Sequence, residues 1–181
     1  GSVARRAGEY SGQGLANLVW AFSTVGYQHQ PLVLVLAEQA CKCSSSFTVQ
    51  NFANVAWALA NMDYLHQRCM DAVAEGSLAR ISEMMPQSLA NIAWAWARLV
   101  LMSPPLLEAI ASESEKKMVE FQSQNLSNLA WSLATLEFRT PALIQVIAAE
   151  ARRKVESLQC QDLASTAWSF ARLAANDEEL L

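Results

Sequence analysis

Residues 87–99 read QSLANIAWAWARL, apolar almost all the way round once wound into a helix. Only Gln87, Ser88, Asn91 and Arg98 interrupt the pattern. A surface helix buries one stripe and leaves the rest to water. This one has the composition of a helix packed on three sides, with a narrow polar seam on the fourth.

The segment recurs. QGLANLVWAFSTV, QNFANVAWALANM, QNLSNLAWSLATL and QDLASTAWSFARL repeat it, and Trp20, Trp57, Trp94, Trp131 and Trp168 stand 37 residues apart without insertion. Gln leads every copy (Gln13, Gln50, Gln87, Gln124, Gln161). Asn stands three residues before Trp in four copies (Asn17, Asn54, Asn91, Asn128), and Ser165 replaces it in the fifth. A fixed period of this length is the signature of a stacked repeat architecture.

Between the copies runs a second helical pattern, clearest in PPLLEAIASESEKKMVEF (104–121). Pro104, Pro105 and Pro141 fall at the first helical turn, where the missing N–H costs nothing. Leu106, Leu107, Ile110, Ala111, Met118 and Phe121 then recur at helical spacing. Strand signals are absent. The expected fold is all-α: a right-handed α-solenoid of 37-residue helix-turn-helix repeats over residues 1–181 as a single segment, with Trp helices at about 12–25, 49–62, 86–99, 123–136 and 160–173. Tyr10 aligns with Phe47, Met84, Phe121 and Leu158 as the end of a preceding first helix, and residues 176–181 fit the start of a following one. Neither terminus has the polar face of a capping repeat, so the chain reads as a slice of a longer array.

At about 100° per residue, large apolar residues (Leu89, Ile92, Trp96, Leu99) share one arc of the Trp helix and Ala90, Ala93 and Ala97 the next. The remaining arc holds the Gln and the Asn. It also holds one column reading Gly14, Asn51, Ser88, Asn125, Asp162 and another reading Thr24, Asn61, Arg98, Thr135, Arg172. This seam is the side expected to stay uncovered. The Trp rings lie at its border. Core packing is the plainer reading of them, with Trp94→Ala expected to cost about 3–5 kcal/mol; stacking on bases is the alternative. The Gln/Asn pairs suit either a scaffold ladder or base edges, and the varying columns suit discrimination among bases.

Net charge is −4 and the pI about 5.2, against a nucleic-acid binder as a whole. The cations are nevertheless ordered. Arg5, Arg6, Lys42, Arg80, Lys116, Lys117, Arg153 and Lys154 fall in one two-residue column ending the first helix, and Arg98, Arg139 and Arg172 lie on the polar arc. The column could meet phosphate, or it could complement the helix dipole. Glu9, Glu83, Glu120 and Glu156 follow close behind and partly cancel it.

Cys41, Cys43, Cys69 and Cys160 match no zinc spacing, and His29 and His66, which share one inter-helix register, suit turn chemistry. No phosphate loop, nucleophile elbow or carboxylate pair appears, so neither catalysis nor a metal or cofactor is expected. No apolar run approaches a membrane span, and no targeting segment is visible.

The Q-x-L-A-N-x-A-W-A-x-A-x-L segment with its proline-led first helix resembles the octotricopeptide-type repeats, and especially the heptatricopeptide repeats that accompany RAP domains. That resemblance implies helix pairs binding single-stranded organellar RNA in processing, stability, translation or ribosome assembly, in a chloroplast or mitochondrion. Ser165, Thr166 and Cys69 depart from the usual pattern. On this reading the RNA-contacting residues are the five Gln, the four Asn, the polar members Thr24, Asn51, Asn61, Ser88, Arg98, Asn125, Thr135, Asp162 and Arg172 of the varying columns, and Arg139. Phosphate falls to Lys42, Arg80, Lys116, Lys117, Arg153 and Lys154. Replacing Arg98 and Arg172 with Ala should then weaken RNA binding and leave thermal unfolding nearly unchanged. The competing expectation is a protein-interaction scaffold of an organellar complex using the same groove for an extended peptide. A third is the non-catalytic arm of an enzyme.

Overall fold

The computed structural model describes residues 6–26 and 29–174. The described residues contain no strand and form two compact units, Gly1–Met84 and Met85–Leu181. The expected all-α class is what the chain adopts. The alignments placed on residues 3–5 and 176–181, and Arg5 with them, lie outside the described residues.

The first unit holds α1 (Gly12–Thr24), α2 (Gln30–Cys43), α3 (Val49–Asn61) and α4 (Gln67–Ala79). The Trp helices α1 and α3 lie against each other, α2 and α4 pair alongside, and each Trp helix also contacts the helix that follows it. The second unit holds α5 (Pro86–Arg98), α6 (Pro104–Lys117), α7 (Ser123–Thr135), α8 (Pro141–Arg153) and α9 (Cys160–Ala174). Here α7 lies between α5 and α9, and α6 packs on α8. Leu126, Leu129, Ala130 and Ala134 of α7 are wholly buried. Alanines on one ridge let the neighbouring backbone approach, and leucines on the other fill its grooves.

The ends of the helices are chemically determined. Ser11 accepts from Gly14 N at 3.1 Å, and Thr48 forms a capping box with Asn51. His29 and His66 act as caps as well, each Nδ1 accepting from an N–H three residues on (Leu32 and Cys69, both 3.2 Å). That is the turn role expected of them. Helices α6 and α8 start on Pro104 and Pro141.

At the other end, Gly26, Asp63, Val100 and Glu137 have φ of +67°, +50°, +53° and +53°. In the last three the next N–H reaches back to close a Schellman motif, Leu101 N to Trp96 O at 2.9 Å being one. Val100 is a β-branched residue in a left-handed conformation, and its side chain is 80% exposed, so no packing offsets the strain. All four cysteines are free thiols; burial, reinforced by the neighbouring Cys41, pushes Cys69 up to about 12.

Candidate nucleic-acid interface

The polar arc divides into residues that meet water and residues that the fold consumes. The leading Gln of each Trp helix (Gln13, Gln50, Gln87, Gln124, Gln161) is exposed. Asn17 is exposed, and Asn54, Asn91 and Asn128 are half-buried, as is Ser165. In the second unit these side chains converge: Gln124, Ser127, Asn128, Gln161, Asp162 and Ser165 line a polar concavity of about 220 Å³. It is rich in amide and hydroxyl groups, which both donate and accept hydrogen bonds.

The Trp rings border this strip. Trp20 and Trp168 are 45% and 44% exposed, and Trp57, Trp94 and Trp131 are half-buried. Trp94 and Trp131 stand with ring centroids 6.5 Å apart and planes tilted by 34°. Such rings are more accessible than core residues, so full burial does not describe them.

The two varying columns are used differently from expectation. Asn51, Ser88 and Asn125, each the third residue of its Trp helix, are buried rather than open to solvent, whereas Asp162 at the same position is half-buried. There the side chain of Asn51 turns back to accept from Thr48 N at 3.0 Å. In the second column, Asn61 donates through Nδ2 to Ser23 Oγ at 2.9 Å and to Ser23 O at 3.3 Å. Arg172 makes the corresponding reach, donating through Nε to Ala134 O at 3.0 Å while Nη2 pairs with Glu137 at 3.0 Å. Both side chains thus add a donor to a carbonyl at the C-terminal end of the preceding Trp helix that also accepts a backbone N–H from the turn after it. The Arg172 guanidinium also lies 5.5 Å above the Trp168 ring. Arg172→Ala would remove these contacts along with a charge, so a lowered melting temperature is now the expected result for that residue. Thr24 closes on its own helix, donating to Trp20 O at 2.9 Å, whereas Thr135 Oγ1 is buried without a partner. Arg98 and Arg139 are exposed.

The cation column meets carboxylates and carbonyls. Arg80 binds Glu83, with Nη2 to Oε2 at 2.7 Å, and donates through Nη1 to Phe47 O at 2.9 Å. Lys116 and Lys117 both reach the buried Glu113 at 3.0 Å. Arg153 holds the buried Glu150 through two nitrogens, at 2.6 and 2.9 Å, and Lys154 joins them at 2.8 Å while donating to Phe121 O. Sequence reading missed Glu113 and Glu150, which stand 37 residues apart on the first-helix pattern and share their column with Gly76. The signal was present in ESEKK (113–117) and EARRK (150–154), each with a Glu three and four residues before paired cations. Lys42 is exposed beside a mixed-charge hollow that Glu38 and Arg68 also line.

Hydrogen bonds from Arg153 and then Lys154 hold the Glu150 carboxyl down at about 2 against the opposing effect of its burial. Lys116 and Lys117 likewise hold Glu113 below its ordinary value. A carboxylate depressed in the folded state stabilises the fold above its ordinary value near 4.5, and loses that contribution as pH falls toward 2. Melting temperatures of the wild type and Glu150→Gln should therefore differ at pH 7 and converge between about pH 4.5 and 2. A gap constant over that range would exclude the ion-pair account.

Among the described residues no group of His, Cys, Asp or Glu is placed to hold a metal, and no helix is long and apolar enough to cross a membrane. Comparison with known proteins bears on identity more directly than the motif does. No curated protein matches the chain. The family model of the RNA-editing substrate-binding complex 6 protein (RESC6) matches residues 2–179. That match corrects the resemblance to octotricopeptide and heptatricopeptide repeats, and the chloroplast address that only this resemblance carried falls with it. The shared Trp-helix spacing reflects how helix pairs stack, and it is not proof of that lineage. Matched over nearly its whole length, the chain belongs to the RNA-editing substrate-binding complex 6 protein family.

Proposed function

We propose that this chain is a non-catalytic, helical-repeat scaffold subunit of an RNA-editing substrate-binding assembly, working in the mitochondrion with RNA and protein partners. The family description supports the assembly. The observation that carries the scaffold reading is the fate of the cations: Arg80, Lys116, Lys117, Arg153, Lys154 and Arg172 are all engaged by carboxylates or carbonyls of the chain itself. A protein that held RNA mainly by its phosphates would present such groups to solvent. The unbroken 37-residue sequence period favours a right-handed α-solenoid and one array over 1–181.

A second reading rests on its own observation. The half-exposed Trp rings beside exposed Gln and Asn side chains suit unstacked bases, with the ring face as platform and amides toward the base edge. Single-stranded RNA would then be an auxiliary ligand, held with little help from charge.

Fluorescence anisotropy with a mixed single-stranded RNA pool separates these possibilities. The slope of log affinity against log salt is about −0.7 per phosphate neutralised. The scaffold reading expects weak binding with a slope no steeper than about −1. Six free cations would give about −4, and such a slope would restore the phosphate-binding reading over this one.

A further inference from the structure

Most cations of the column are held by the chain itself, and Lys42 escapes for a reason legible in the repeat. Lys116 and Arg153 occupy the matching positions of α6 and α8, each three residues after a buried Glu (Glu113, Glu150) that binds it. In α2 that earlier position is Gln39, so the carboxylate is missing and Lys42 stays exposed. Arg68 is peculiar to this unit, standing where the other first helices have Pro31, Pro105 and Ala142. It is exposed too, and among the described residues no carboxylate or carbonyl holds either side chain.

The fold brings the two cations together. The Cys41 thiol donates to the Arg68 carbonyl at 3.5 Å, which seats the end of α2 on the start of α4. At this junction lies a hollow of about 390 Å³ lined by Glu38, Cys41, Lys42, His66 and Arg68. His66 Nδ1 accepts from Cys69 N, so the neutral ring carries its proton on Nε2 as a further donor. Two cations against the one carboxylate of Glu38 leave a single net positive charge.

We propose that this hollow seats one phosphodiester of single-stranded RNA, with Lys42 and Arg68 as its charge partners. The inference rests on the RNA reading above and names the point at which charge enters it. A phosphodiester carries one negative charge and so matches the hollow, whereas a phosphorylated side chain carries about −1.5 to −2. Arg68 supplies a planar fork that fits two phosphate oxygens, and Lys42 a point charge beside it.

The test uses the whole chain and a fluorescein-labelled pool of single-stranded RNA. The wild type should bind with a slope of log affinity against log salt of about −0.7, and the double variant Lys42→Ala, Arg68→Ala several-fold more weakly with a slope near zero. Glu38→Gln should tighten binding several-fold, a gain that a folding defect cannot mimic. All three side chains are exposed and unpaired, so the variants should melt like the wild type. RNA should also slow alkylation of Cys41 by N-ethylmaleimide in the wild type and not in the double variant, as read by peptide mass spectrometry. Arg152→Ala removes an exposed cation that does not line the hollow and should leave the slope unchanged. A wild-type slope in the double variant, or an equal loss in Arg152→Ala, would overturn the proposal and leave the RNA reading standing. Protection of Cys41 by a phosphoserine peptide but not by RNA would overturn it in favour of a phosphorylated partner. A wild type that binds no RNA at all removes the RNA reading and this site with it.

Discussion

Phe121→Ala should lower the stability of the second unit by about 3–5 kcal/mol, with Trp94→Ala costing about 1–2 kcal/mol. The order is the reverse of what residue size suggests. Phe121 is wholly buried in the turn between α6 and α7, and its carbonyl receives Lys154 Nζ. Emptying that position leaves a cavity beneath a contact linking successive helix pairs. Trp94 is half-buried, and the ring contact that characterises it is the tilted one with Trp131. An aromatic pair of this kind contributes about 0.5–1.5 kcal/mol beyond the area it buries. Urea titration followed by far-UV circular dichroism reads both variants. Stacked repeats can unfold in steps, so the expected signature is an earlier first transition in Phe121→Ala, with much of the amplitude from the first unit retained. A larger loss in Trp94→Ala would return the Trp rings to the core role that sequence alone favours for them.

Why the sequence set the Trp rings only at the border of the polar arc follows from what periodicity measures. Angular position around a helix separates apolar from polar arcs, and it placed the leading Gln residues correctly on the water-facing side. It is blind to position along the axis. Asn51, Ser88 and Asn125 share the polar arc yet sit buried in the first turn of their helices, Asn51 folding back onto the N–H of Thr48. Asn61 and Arg172 share it too, but at the last turn, within reach of the neighbouring helix end. The left-handed residues after α3, α5 and α7 gave no signal, because Asp63, Val100 and Glu137 are not the Gly or Asn that such positions favour. The first-helix pattern was clear from Pro104, Pro141 and their leucines. Its charge column was identified as well, but whether a cation points to phosphate or back to Glu113 and Glu150 is a matter of side-chain geometry. The family, likewise, was not contained in the motif: small residues on one ridge and leucines on another are what close helix packing requires of any such array.

Gly76→Ala should destabilise the first unit by about 1–3 kcal/mol, although the same change in an exposed helix interior stabilises by about 0.8–1.0 kcal/mol. Gly76 lies within α4, and a Cβ there would stand 2.2, 2.6 and 2.8 Å from three atoms of the Phe52 ring. The ring would have to shift from its packed position: Phe52 is 4% exposed and meets Phe47 edge-on at 5.4 Å between centroids. The repeat itself supplies the explanation. Where this unit has Gly76 the second has Glu113 and Glu150, and where this unit has Phe52 the second has Leu89, Leu126 and Leu163. The large ring and the missing side chain are two halves of one substitution, each tolerable because of the other. A double-mutant cycle tests that coupling. Phe52→Leu alone should destabilise by opening space, Gly76→Ala alone by filling space already taken, and the pair should cost less than the sum, with the added Cβ now meeting a smaller neighbour. Strict additivity of the two urea midpoint shifts would show that Gly76 is retained for some reason other than the ring that lies over it.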